Sequence, residues 1–216
     1  DPATAWLHNA RAVALMAEAG RRHGSRLIQV STDQFFTGDG DVRHPEEARV
    51  VLANEYARTK FAAEALVLSV PNALVVRTNI LGFRHGQGKP TLAEWALDVI
   101  EHDRPATLFT DAFVSSIDCP SCADTLFDLA EHGATGRVNV ASRDVFSKAT
   151  LVRSMAKALD RPLTRAQDGS VHRLSIVRGD SLGLDVSRAE ALLGRTMPGL
   201  QDVVAAVLSD HRKIQP

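Results

Sequence analysis

This sequence of 216 residues has no long apolar run, almost no net charge and only two cysteines. No run approaches the roughly 18 apolar residues of a membrane-spanning helix, so we expect no membrane span. The formal net charge is −1, which gives no electrostatic reason to expect binding to nucleic acid or to a membrane surface. Hydrophobic residues still make up 44% of the chain, enough for a substantial core.

The two cysteines, Cys119 and Cys122, form a C-x-x-C pair. Such a pair at a helix N-terminus can be redox-active because the helix end stabilises a thiolate. The interpretation we favour is two small buried residues. No second C-x-x-C and no nearby histidine completes a zinc site, so no metal is expected. So few cysteines are typical of a protein in a reducing cytoplasm, which is the expected location.

Glycine-rich phosphate-binding turns are also missing. Neither G-x-G-x-x-G nor G-x-x-G-x-x-G occurs in the sequence. The stretch 82–90 is not a P-loop, because five residues separate Gly82 from Gly88 and Pro90 follows Lys89. A flexible lid over a substrate is the better interpretation, and Lys89 would then meet a diphosphate.

Strand and helix patterns alternate along the chain, which indicates an α/β class. Apolar runs predict short strands at 27–30, 73–76 and 138–140. Caps and apolar spacing predict helices at 1–20, 56–70, 91–102, 118–131, 147–159, 187–193 and 200–209. In the first helix Trp6, Ala10, Val13 and Ala17 fall on one face, and in the helix at 118–131 we expect Phe127 to face inward.

The stretch from Ser31 to Lys60 carries a plausible reaction centre. The segment Ser31-Thr32-Asp33 directly follows the predicted strand 27–30, and Tyr56 and Lys60 share one face of the next helix because they are four residues apart. A cation near a phenol favours the phenolate and lowers the phenol pKa, so the tyrosine can protonate a carbonyl oxygen that receives hydride. Thr32 would hold the same oxygen by a second hydrogen bond.

These residues carry a family resemblance. The chain resembles the extended short-chain dehydrogenase/reductases, and among them the dTDP-4-dehydrorhamnose reductase-like, sugar-nucleotide-binding family. The matching segments run in the family's order from near the N-terminus to near the C-terminus. They are Val-Ser-Thr-Asp at 30–33, Tyr56 with Lys60, Val-Arg-Thr at 76–78, Gly-Arg-Val-Asn-Val at 136–140 and Leu-Asp-Val-Ser at 184–187.

The resemblance implies a truncated Rossmann-like parallel sheet with helices on both faces and a small C-terminal substrate-binding subdomain. Residues 1–81 and 117–142 would form the Rossmann-like part, and 82–116 and 143–216 the subdomain. The cofactor implied is NADP or NAD, contacted by Ser31, Tyr56, Lys60 and Asn79. The glycine-rich cradle for its pyrophosphate is expected upstream of the chain, so the chain alone should bind the cofactor poorly.

The implied substrate is a nucleotide-linked 4-keto sugar, contacted by Thr32, Asp33, Ile80, Lys89 and Arg178. Family members that act on dTDP-sugars commonly have tryptophan where this chain has Ile80, which leaves the particular sugar open. A non-catalytic sugar-nucleotide-binding or regulatory subunit of the same fold is the alternative, and an inert remnant is a third reading. The resemblance also leaves a homodimer open.

Overall fold

The structure is a computed structural model that describes residues 1–84, 88–173 and 179–214. Its strands are all short. They are β1 (Ile28–Val30), β2 (Leu74–Arg77), β3 (Ile80–Leu81), β4 (Ala106–Phe109), β5 (Phe113–Val114), β6 (Ile117–Asp118), β7 (Gly136–Asn139), β8 (Phe146–Ser147), β9 (Ala166–Gly169) and β10 (Ser181–Leu182). Seven of these lie outside the three predicted strands: β3, β4, β5, β6, β8, β9 and β10.

Eight α-helices alternate with the strands in the part of the chain that the structure describes. They are α1 (Pro2–Trp6), α2 (Ala12–His23), α3 (Glu55–Leu68), α4 (Leu92–Glu101), α5 (Cys119–Glu131), α6 (Lys148–Ala158), α7 (Ser187–Leu193) and α8 (Leu200–Ile214). A π-helical segment, Leu7–Arg11, joins α1 to α2. Each predicted helix is present, and α8 is five residues longer than expected.

The central sheet is parallel, in the order β1-β2-β7. Val75 of β2 packs against side chains of α2 and α3, whereas its neighbours Leu74 and Val76 pack with side chains of α5 and α7. Side chains alternate between the two faces of a strand, so helices cover both faces of this sheet. The predicted α/β class with a Rossmann-like parallel sheet is confirmed.

The apolar side chains form a second large core away from this sheet. It is built from α4, α6, α8 and the short strands β4 and β5. The division into a Rossmann-like part and a subdomain stays a prediction. Leu184, Ala189 and Met197, which come from the range assigned to the subdomain, pack in the core of the central sheet.

The first helix departs from its prediction at both ends. It continues past Gly20 to His23, and the chain leaves it at Gly24, whose φ of 62° is the left-handed conformation that glycine adopts without strain. Of the four residues predicted on one face, Ala10, Val13 and Ala17 are buried, whereas Trp6 is 41% exposed. The Trp6 indole donates a hydrogen bond to Glu55 at the start of α3.

The buried face of α5 also differs from the prediction. Phe127, expected inside, is 71% exposed, and the buried side chains are those of Cys122, Thr125 and Leu129. The spacing is helical in both cases, but the buried stripe is rotated from the predicted one. The helix begins where expected, because Asp118 caps it by accepting a hydrogen bond from the Ser121 N–H at 2.9 Å.

Candidate active site

The end of β1 and the start of α3 are tied together at the predicted reaction centre. Lys60 Nζ donates a hydrogen bond to the carbonyl of Val30, the last residue of β1, at 2.7 Å. Ser31 continues the parallel ladder by donating its N–H to the Val76 carbonyl at 2.6 Å. Thr32 is therefore two residues beyond the backbone carbonyl that holds the lysine.

Two contacts fix the start of α3, which carries Tyr56. Asn54 is the N-cap and accepts from the Ala57 N–H at 2.9 Å. The π-helical segment approaches the same turn, where Asn9 Nδ2 donates to the Thr59 hydroxyl at 3.0 Å. Tyr56 itself is 47% exposed, so its phenol is accessible on the surface of an anchored helix.

Thr32 and Asp33 lie in a small buried network of polar side chains. The Thr32 hydroxyl donates to Asp33 Oδ1 at 3.3 Å and accepts from the Gln34 N–H at 3.2 Å. Asn79 Nδ2 donates to Asp33 Oδ2, and Asn79 Oδ1 accepts from the Ser116 hydroxyl at 2.8 Å. The Asn79 side chain is thus engaged at both ends by the protein, and its expected contact with the cofactor stays a prediction.

A buried ion cluster lies under this site. Glu64, one helical turn after Lys60, accepts hydrogen bonds from Arg77 Nε at 2.9 Å and Nη2 at 2.8 Å, and from Arg137 Nε at 2.9 Å. The Ser31 hydroxyl donates to the same carboxylate at 2.6 Å. The Ser31 side chain, also expected at the cofactor, is therefore turned into the protein. The cluster anchors α3 to the ends of β1, β2 and β7.

Burial shifts two pKa values at the site. Burial raises the pKa of Asp33 to about 6, against the lowering effect of hydrogen bonds from Asn79, Gln34 and Thr32. Burial also lowers the pKa of Lys60 from its usual value, while the nearby Glu64 charge acts in the opposite direction. Burial thus acts on both groups against the charged form.

The remaining expected substrate contacts are partly described. Ile80, in β3, is 46% exposed, and Lys89 is exposed at the edge of the stretch 82–90. Arg178 lies outside the described residues. An open groove of about 580 Å³ lies between α5 and the segment 195–202, and Thr32, Tyr56 and Lys60 do not line it.

The buried ion cluster of Glu64 with Arg77 and Arg137 was not predicted from the sequence. Two signals were present: Arg77 ends an otherwise apolar strand, and Glu64 falls eight residues after Tyr56 on the same face of the helix. A charge at a buried position needs a partner, and these two opposite charges are each fully enclosed. Of the two cysteines, Cys122 is buried as expected, whereas Cys119 is exposed.

A parallel sheet covered on both faces, with a Tyr-x-x-x-Lys helix bonded to the end of its first strand, defines an extended short-chain dehydrogenase/reductase fold. The family model for the RmlD substrate binding domain matches residues 1–210. The chain therefore belongs to the RmlD substrate-binding domain family.

Two curated relatives illustrate the similarity. The probable low-salt glycan biosynthesis reductase Agl14 of Haloferax volcanii is 28% identical over 199 residues, which cover 84% of this chain and 62% of the relative. A dTDP-4-dehydrorhamnose reductase of Mycobacterium tuberculosis is 36% identical over 154 residues, which cover 68% of this chain and 50% of the relative. The chain thus spans half to three fifths of these relatives.

A solved structure shows the same fold. The dTDP-4-dehydrorhamnose reductase of Bacillus anthracis, determined in complex with NADP, superposes with a TM-score of 0.84 at 18% identity. The match covers 97% of this chain and 74% of that one. Among the described residues, no helix combines the length and the apolar character of a membrane span.

Proposed function

We propose that this chain supplies the reaction centre and the sugar-binding part of an NADPH- or NADH-dependent reductase of a nucleotide-linked 4-keto sugar. The observation that carries the proposal is the bond from Lys60 Nζ to the Val30 carbonyl, because it fixes the Tyr56 helix against the strand end that leads into Thr32. The names of the relatives, which include dTDP-4-dehydrorhamnose reductases, support the same reaction class.

The roles follow from the chemistry of the side chains. When bound, the nicotinamide supplies hydride to the keto carbon. Tyr56 gives its phenolic proton to the carbonyl oxygen, so the carbonyl becomes an alcohol. Lys60 favours the resulting phenolate by its charge. Thr32 orients the same oxygen by a hydrogen bond.

The residues fit the cofactor in part. Tyr56 and Lys60 lie at an accessible helix face, as a nicotinamide riboside needs, whereas the side chains of Ser31 and Asn79 are engaged inside the protein. No glycine-rich pyrophosphate turn occurs in the sequence. Any contact of Ser31 or Asn79 with the cofactor would therefore use their backbone atoms.

The substrate class is a sugar nucleotide whose sugar lies near Thr32 and Ile80. An exposed isoleucine offers an apolar contact to the sugar ring, and Lys89 offers a charge to the diphosphate. Arg178 stays a proposed phosphate contact. A cytoplasmic location and a homodimer stay proposals as well.

A non-catalytic sugar-nucleotide-binding subunit is the second candidate. The observation that favours it is that the side chains of Ser31 and Asn79, both expected at the cofactor, are engaged inside the protein. A thermal-shift measurement tests whether the 216-residue chain binds the cofactor. We expect no stabilisation by NADPH below millimolar concentration. Clear stabilisation would mean that the chain holds the cofactor without a glycine-rich turn.

The reaction is tested by joining the chain to the dinucleotide-binding segment of the Mycobacterium tuberculosis relative. NADPH consumption with dTDP-4-dehydrorhamnose or another 4-keto sugar nucleotide should be measurable. Tyr56→Phe should lower kcat by about 10²- to 10⁴-fold, the usual contribution of a general acid. Ser69→Ala, which removes a hydroxyl at the other end of α3, is the control and should leave kcat unchanged. Equal rates for the Tyr56 variant and the parent would exclude the proton donor.

A further inference from the structure

The Asp33 carboxyl is almost completely enclosed, although the sequence suggested that it contacts substrate. It is 1% exposed. Oδ1 accepts from Gln34 Nε2 at 3.0 Å and from the Thr32 hydroxyl at 3.3 Å, and Oδ2 accepts from Asn79 Nδ2 at 2.5 Å. These three side-chain donors are neutral groups.

The two carboxyl oxygens have different surroundings. The Asn79 amide is held in place because its Oδ1 accepts from Ser116 and its backbone carbonyl accepts from the Ile117 N–H at 3.0 Å. This arrangement directs the amide N–H₂ at Asp33 Oδ2, which must then act as an acceptor. Oδ1 also accepts from Gln34 Nε2, but among the described residues that amide has no second hydrogen-bond partner to hold its orientation, so it is free to turn. A proton on the Asp33 carboxyl is therefore best placed on Oδ1, beside the Thr32 hydroxyl.

The Thr32 hydroxyl has one proton and two lone pairs. One lone pair accepts from the Gln34 N–H. When Asp33 is ionised, the single proton of Thr32 is directed at Oδ1 and is not available to a ligand. When Oδ1 carries a proton, it donates to Thr32 Oγ1, and the threonine proton is released to point elsewhere.

We propose that Asp33 is a positioning residue whose protonation state sets the direction of the Thr32 hydroxyl, and that Thr32 donates to the substrate carbonyl only when Asp33 is protonated. The catalytic half of this inference rests on the proposed function, because it uses the contact between Thr32 and the keto oxygen. The hydroxyl switch itself does not depend on the reaction.

The pKa of Asp33, raised to about 6 by burial, brings the switch into an accessible pH range. The titratable or charged groups on the elements around it are Glu55, Tyr56, Arg58, Lys60 and Glu64 of α3, Arg77 of β2 and Asp118 of β6, and none of them is among the causes of the Asp33 shift. Glu64 and Arg77 are paired with each other. The Lys60 ammonium is bonded to the Val30 carbonyl.

The proposal predicts a rate that falls on the alkaline side. As pH rises through about 6, Asp33 ionises and takes up the Thr32 proton, so kcat should fall about tenfold per pH unit. The fall should level off at about 10²-fold, the typical loss when one donor to a developing oxyanion is removed. The KM for the cofactor should not follow this change, because Thr32 donates to the sugar carbonyl.

The switch is tested by carbon-13 NMR of the 216-residue chain without ligands, between pH 3 and 8. We expect the Asp33 carboxyl carbon and the Thr32 methyl group to titrate together with one midpoint near 6. In Asp33→Asn, the amide N–H₂ replaces the protonated carboxyl, so the Thr32 methyl should not titrate near pH 6. A Thr32 methyl that stays unchanged while Asp33 titrates would overturn the proposal.

The chain contains its own control. The Thr164 hydroxyl donates to Asp103, which is partly exposed, and this hydrogen bond is the main cause that lowers the Asp103 pKa below its usual value. The Thr164 methyl should therefore change only below about pH 4. A change of both methyls at the same pH would contradict the assignment of the midpoint to Asp33.

The kinetic arm uses the fusion with the dinucleotide-binding segment of the Mycobacterium tuberculosis relative and compares the parent with Asp33→Asn. The kcat of the parent should fall above pH 6, whereas the kcat of the variant should not. If no sugar nucleotide is reduced at any pH, the proposed function fails while the NMR result still decides the switch. If reduction occurs and kcat falls above pH 6 in both proteins, the role of Asp33 is refuted.

Discussion

Glutamine in place of Glu64 tests the ion cluster that anchors the Tyr56 helix. The carboxylate is fully buried and accepts two hydrogen bonds from Arg77, one from Arg137 and one from Ser31. Glutamine keeps the size but removes the charge and one acceptor oxygen. Arg77, itself 1% exposed at its side chain, is then left with an uncompensated buried charge.

The expected loss is large because removal of one partner from a buried ion pair costs about 3–5 kcal/mol in the free energy of unfolding. With a urea m-value of roughly 2 kcal/mol/M, the unfolding midpoint should fall by about 1.5–2.5 M. Urea unfolding followed by circular dichroism measures this shift.

Glu18→Gln is the matched control, because Glu18 also pairs with two arginines, Arg21 and Arg22, but on the exposed surface of α2. Exposed pairs of this kind contribute about 0–1 kcal/mol each, so the control should move the midpoint only slightly. Equal losses in the two variants, or a loss below about 1 kcal/mol for Glu64→Gln, would refute the anchoring role.

Two further predictions concern stability. The raised pKa of Asp33 means that the folded state holds this proton more tightly than the unfolded state, so the stabilisation is present near pH 4 and is lost as pH rises to about 6. The difference in unfolding free energy between the parent and Asp33→Asn should thus fall by about 2 kcal/mol from pH 4 to 7, and a constant difference would contradict it. Thr91→Ala removes the capping box that Thr91 forms with Glu94 at the start of α4, which should cost about 1–2 kcal/mol in urea unfolding; a change below about 0.3 kcal/mol would contradict it.

Features with strong local signals could be predicted from the sequence. Ser147 was expected to cap the helix that follows it, and it accepts from the Thr150 N–H at 3.0 Å. Tyr56 and Lys60 were expected on one helical face by spacing alone, and Lys60 now has a partner on β1. In each case a few neighbouring residues determine the outcome.

Features that depend on distant partners could not be predicted. β3, β5 and β6 have two residues each, too few for a period to be visible. The buried side of α5 was misjudged because Phe127 is apolar, whereas Thr125 faces the core and accepts from Arg195. The sequence marks Asn79 as a polar residue at a strand end, but only the fold shows that Asp33 and Ser116 engage it.

The most direct test of the central claim is a double-mutant cycle with Thr32→Val and Tyr56→Phe. It is measured as kcat for sugar-nucleotide reduction by the fusion with the dinucleotide-binding segment of the Mycobacterium tuberculosis relative. Groups that act on one carbonyl oxygen are not independent, so their losses should not multiply. We predict that the double variant loses little more than Tyr56→Phe alone. Losses that multiply fully, or a Tyr56→Phe variant as fast as the parent, would contradict a shared reaction centre.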